Sequence, residues 1–99
     1  MTTTRAIVPT ASGGKYVRQL CKHWSHKLDV ELDGEPDRET GVVRFPSGTA
    51  TMTAGPEALE LSIAADDREE VERLKDVVAR HLDRFAFREA PLPFDWKDG

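Results

Sequence analysis

A single cysteine in 99 residues excludes an internal disulfide, so this fold must rest on its core, and a reducing cytoplasm is the expected location. No apolar run approaches a membrane span. The N-terminal stretch Met1-Thr2-Thr3-Thr4-Arg5-Ala6-Ile7-Val8-Pro9 has no apolar signal-peptide core, so a soluble, unprocessed chain without membrane contact is expected. Positive charge is not in excess either. Fourteen lysines and arginines against eighteen aspartates and glutamates leave a net charge of −4, which argues against a chain built to grip nucleic acid or acidic lipid. The chain has no Gly-rich phosphate loop after a strand, no Gly-x-Ser-x-Gly elbow and no paired metalloprotease histidines. Repeats, linkers and low-complexity runs are missing too, which makes residues 1–99 one domain with one core.

What is present reads as alternating local patterns. Arg5 to Pro9 is a short extended segment, and Thr10-Ala11-Ser12-Gly13-Gly14 a turn in which Thr10 or Ser12 would cap a helix. From about Lys15 to Lys27, Val17, Leu20, Cys21, Trp24 and then Leu28 recur at helical spacing. Asp29 to Leu32 alternates before the acidic turn Asp33-Gly34-Glu35-Pro36-Asp37. Gly41 to Phe45, Thr49 to Ala54 and Leu59 to Ile63 follow as strands separated by Pro46-Ser47-Gly48 and Gly55-Pro56-Glu57. Asp66 or Asp67 opens a long helix with the core stripe Val71, Leu74, Val78, Leu82 and Phe85. Pro91 and Pro93 keep the tail out of helix, and the alternation of Leu92, Phe94 and Trp96 suits a short edge strand.

The order β-α-β-β-β-β-α predicts an α+β domain. Its antiparallel sheet has about five strands with both helices on one face, as in a TATA-binding-protein half or a helix-grip fold. The other face would carry Glu31, Thr49, Thr51, Thr53, Glu60 and Ser62, the wrong chemistry for phosphates or stacked bases, so no nucleic-acid partner is expected.

Chemically versatile side chains gather late in the two helices. Cys21-Lys22-His23-Trp24-Ser25-His26-Lys27 and His81-Leu82-Asp83-Arg84-Phe85 hold the cysteine, all three histidines and one of two tryptophans. A solvated polar face is the bland reading of the charges. The sharper one is a ligand site, with Lys22, His23, His26 and His81 as polar contacts and Arg84 and Trp96 as walls. Cys21, His23 and His81 are the weak metal candidates, for zinc or iron, and two ligands fall short of a structural zinc site. Gly13-Gly14 hints at phosphate without reaching a nucleotide fingerprint. A Cys21–His81 nucleophile pair is the enzymatic alternative, and it lacks a third group to orient the imidazole.

The segments Tyr16 to Lys27 and Val77 to Arg88, together with Trp96, resemble a bacterial family of small proteins, domain of unknown function 2218. That resemblance implies a small α+β domain, found alone or attached to siderophore-interacting, flavin-dependent ferric reductase-like proteins. It implies an accessory role in iron or siderophore handling with such a reductase as partner, and it supplies no catalytic residues. The expected function is therefore a cytoplasmic, non-enzymatic binding or accessory domain for a small anion or a metal chelate. The alternatives are a homodimeric interaction module without a small ligand, and an enzyme using Cys21 and His81.

Overall fold

The computed structural model describes residues 2–34, 38–89 and 92–98; Glu35, Pro36 and Asp37 of the acidic turn and Pro91 of the tail lie outside the described residues. Its elements run β1 (Thr2–Pro9), α1 (Gly13–Trp24), β2 (Asp29–Asp33), β3 (Thr40–Phe45), β4 (Gly48–Ala54), β5 (Ala58–Ala65), α2 (Arg68–Phe85) and β6 (Lys97–Asp98). The strands form one antiparallel sheet in the order β2-β3-β4-β5-β1-β6. Neither helix is long and apolar enough to cross a membrane.

Period-two alternation sorts the sheet into two faces. Ala6 and Val8, Val43, Ala50 and Met52, and Leu59, Leu61 and Ile63 point to one side, where they are buried. Both helices cover that side, α1 over β2, β3 and β4 and α2 over β4, β5 and β1. On the opposite face the pairings set Glu31 beside Val42, Thr51, Ser62 and Arg5 in one row across five strands. The α+β arrangement expected from the pattern is thus the one observed, with a sixth short strand added.

Each helix buries the stripe its spacing implies. In α1 these residues are Val17, Leu20, Cys21 and Trp24; in α2 they are Val71, Leu74, Val78 and Leu82. The start of α2 is also as read: Asp67 is the N-cap and accepts a hydrogen bond from the Glu70 amide at 2.9 Å, a contact worth about 1 kcal/mol.

The start of α1 departs from the sequence reading. Gly13 and Gly14 are its first residues rather than part of the turn, and Ser12 at the N-cap makes no side-chain cap. Thr10 Oγ1 instead accepts from the Ser12 amide at 3.1 Å. Both glycines sit at close approaches. A β-carbon on Gly13 would sit 3.3 Å from that of Ala54, and one on Gly14 would overlap the Glu39 carboxylate. The far end also differs, for α1 stops at Trp24 and leaves His26 and Lys27 in a turn. That turn is closed by Leu28 N–H donating to the Trp24 carbonyl.

The tail is strand only at its end. Lys97 and Asp98 pair with Arg5 and Thr4, while residues 92–96 are irregular. Asp83 Oδ1 accepts from the Leu92 amide at 3.0 Å and holds that buried leucine down. Phe94 and Trp96 stack with centroids 6.0 Å apart. Tight packing makes Gly41 the most sensitive spot beneath α1, because an added β-carbon would lie 2.5 Å from Cys21 Sγ and 3.0 Å from Val17 Cγ1. Gly41→Ala is expected to cost about 1–3 kcal/mol, measured as a lower midpoint of chemical denaturation at unchanged slope.

Candidate functional site

Helix α1 presents a second stripe, Tyr16, Gln19 and His23, along the side that meets α2. The two helices run antiparallel here. His23 near the end of α1 meets His81 and Phe85, whereas Tyr16 near its start reaches Glu89 just past α2.

At the His23 end five rings converge. The imidazoles of His23 and His81 have centroids 5.4 Å apart, and His23 meets the edge of Phe85 at 5.7 Å. Trp24 lies 5.1 Å from His81 and 5.4 Å from Phe45 of β3. Trp24 is buried, His81 and Phe85 are half-buried, and His23 is exposed at the rim. The His81 ring is anchored through Nδ1, 2.7 Å from the Val77 carbonyl oxygen.

The charges that act on His23 are of one sign. Partial burial, then the positive charges of His81, Arg84, His26 and Lys27, push the His23 pKa below the ordinary imidazole value. Lys22, Lys27 and Arg84 make no ion pair among the described residues. Several cations elsewhere are matched by acids, as in Arg18–Glu39, Arg44–Glu31, Arg73–Glu70, Lys75–Glu72 and Arg80–Asp76, whereas Lys15 and Arg88 make no ion pair among the described residues either. An acidic chain therefore carries a local positive patch with two imidazoles in its centre.

The structure brings together His23, His81 and Arg84 from the residues singled out by sequence, with Lys22 and His26 exposed alongside. Trp96 lies elsewhere. It sits near β6 at the opposite edge of the sheet, stacked on Phe94 with the Lys75 ammonium 5.9 Å from its ring centroid. Among the described residues its ring meets Phe94 and Lys75, not His23 or His81.

Cys21 is turned onto β3, where its Sγ packs over Gly41. Burial pushes its thiol up to about 11, which leaves little thiolate at neutral pH. Cys21 thus faces the sheet while His81 faces His23 and Trp24. Among the described residues no group of three or more His, Cys, Asp or Glu side chains is placed to hold a metal ion.

Two polar clusters had no signal in the sequence. Glu89 accepts hydrogen bonds from the Tyr16 hydroxyl and from Thr10 Oγ1, tying the end of α2 to the start of α1 across 79 positions. Glu39, 7% exposed, pairs with Arg18 through Oε1 and leaves Oε2 without a hydrogen-bond partner beside Gly14. The positive end of the α1 dipole is what that oxygen faces. Both clusters join residues that no local pattern relates.

The family model described as an uncharacterized protein conserved in bacteria, DUF2218, matches residues 5–97. The chain belongs to this family. Its fold is shared by another bacterial protein: the NMR structure of PA4090 from Pseudomonas aeruginosa matches with a TM-score of 0.77 at 31% identity, over 98% of this chain and 96% of that one. The long isoform of ulvan lyase from Pseudoalteromonas sp. (strain PLSV) is 34% identical over 67 residues. That match takes in 68% of this DUF2218 chain and 7% of the lyase, so the chain spans a small fraction of that relative's length.

Two outcomes follow from the geometry. Native Cys21 should resist a thiol reagent at pH 8 and react stoichiometrically once the protein is unfolded; rapid native labelling would mean that the α1–β3 contact opens. For His23 the sign is set by its lowered pKa. Near pH 6.5 the unfolded chain takes up a proton that the folded chain does not. Its contribution to stability is thus present above that range and declines as the pH falls towards the folded value. Denaturation midpoints measured from pH 7.5 to 5 should drop less steeply in His23→Gln than in the parent.

Proposed function

We propose that this domain is a non-enzymatic binding or accessory module whose ligand is a small anion or an anionic metal chelate. The ligand would lie at the end of the helical layer, between His23 and His81, with Arg84, Lys22 and His26 around it. The observation that carries this reading is the positive charge of Arg84, His26 and Lys27 converging on His23 in a chain of net charge −4. Cations held together in this way attract a negative charge from outside and can hydrogen-bond to it. The rings of Trp24, Phe85 and Phe45 give the two imidazoles a stiff, apolar backing, which limits what ordering them on binding would cost.

An accessory role is also supported by the ulvan lyase match, in which a sequence like this one occupies a small part of a much larger enzyme. Iron handling, with a siderophore-interacting reductase as partner and a cytoplasmic setting, belongs to the same proposal through its chelate branch. There the cations would meet the carboxylates of the chelator, and an imidazole would take a metal position that the chelator leaves open.

Thermal-shift titration at pH 6 with citrate and with ferric citrate tests the reading. At a hundredfold excess over the dissociation constant a ligand stabilises by about 2.7 kcal/mol. The parent protein should show a saturable rise in midpoint that His23→Ala and His81→Ala lose while remaining folded. Equal shifts in parent and variants would remove both histidines from the site. A shift with ferric citrate alone would select the chelate branch.

A further inference from the structure

The histidine pair carries a second property, which rests on the anion-site reading above. One nitrogen of His81 is already committed, since Nδ1 lies 2.7 Å from the Val77 carbonyl oxygen one turn back on α2. A carbonyl oxygen can only accept, so Nδ1 carries the hydrogen and donates it. In the neutral ring Nε2 therefore holds a lone pair and no hydrogen. Such a nitrogen repels an oxyanion. It can donate to one only after gaining a proton, when both ring nitrogens are N–H groups.

We propose that the site is a proton-coupled oxyanion receptor, binding a fully ionised oxyanion of the sulfate, phosphate or carboxylate class together with one proton taken from solvent onto Nε2 of His81. The proton and the anion enter together and leave together, and no covalent bond other than that N–H forms or breaks.

The surroundings favour this coupling. The charged groups acting on His23, the partner of His81 in the pair, are His26 and Lys27 from the turn after α1 and Arg84 from α2, all cationic or able to become so. The nearby acids on α2 are engaged elsewhere: Asp83 accepts from the Leu92 amide and Asp76 pairs with Arg80. Trp24 and Phe85 carry no charge. A proton on the empty site would thus sit among like charges, and an arriving oxyanion reverses that balance. Once protonated, the His81 imidazolium would have the Trp24 π system 5.1 Å away between centroids. The depressed pKa of His23 agrees with a ring that sheds its proton beside those cations.

Sulfate is the probe, because it does not itself titrate in the histidine range and any proton taken up must go to the protein. Calorimetric titration of the full chain at pH 7, in two buffers of different ionisation enthalpy, should show net proton uptake on sulfate binding. The affinity should fall by up to about tenfold per pH unit on the alkaline side. In the wild-type NMR spectrum the His81 ring signal should titrate at higher pH with sulfate than without it, a readout that depends on no variant. His81→Gln, checked for folding by circular dichroism, should lose most of the uptake. Sulfate binding with no proton uptake, an unmoved His81 titration, or undiminished uptake in folded His81→Gln would overturn the coupling while leaving the anion site in place. If the folded parent binds no sulfate even at pH 6, the anion-site reading falls, and the coupling falls with it.

Discussion

The close seat of α1 on strands β3 and β4 is the contact from which the rest of this structure takes its geometry. Gly13 against Ala54 and Leu59, and Gly41 under Cys21 and Val17, let the helix approach the sheet where side chains of ordinary size would hold it off. Packing at that density forfeits attraction steeply for every fraction of an ångström lost. The helix therefore has one seat, and that seat sets the rotation and height at which its outer stripe of Tyr16, Gln19 and His23 meets α2. Cys21 serves this contact as a small apolar knob, buried and with its thiol held neutral.

Fixing α1 in this way has two consequences at the helix–helix seam. At one end Tyr16 and Thr10 clasp Glu89, which closes the molecule where α2 gives way to the tail. At the other the imidazoles of His23 and His81 are held 5.4 Å apart between their centroids, on a backing of aromatic rings. Stability and the candidate site thus share one seam, and the residues of the site are those the core does not consume. Part of the acidic charge of the chain goes into local ion pairs along α2 and on the outer sheet face. That leaves the seam's end positive although the molecule is not.

Much of the fold was legible because its signals are local. Apolar spacing marked both helices, alternation marked the strands, and Asp67 with Glu69 and Glu70 marked the start of α2. The errors fell where distant parts decide. Gly13-Gly14 looks like a turn in sequence, and its place inside α1 follows only from Ala54, Leu59 and Glu39 beside it. Leu92, Phe94 and Trp96 alternate as a strand would, yet Asp83 and the buried seat of Leu92 pull that run out of register. The pairing with β1 starts only at Lys97. For the site, rare side chains cluster late in both helices in sequence, and the structure sets two of them, His23 and His81, side by side. Trp96 instead stacks on Phe94 beside Lys75, contacts that no spacing in the tail records.

By itself the sequence determined the order of elements, which face of each helix and strand is buried, and the two segments where chemistry could gather. These follow from the fixed periods of helix and strand, which any chain obeys residue by residue. Tertiary structure alone decided that His23 faces His81 rather than Cys21, that Glu89 reaches Tyr16, and that Trp96 lies at the far edge. These are relations between segments far apart in the chain. They depend on how closely two surfaces can pack, and no spacing within either segment records the shape of the other.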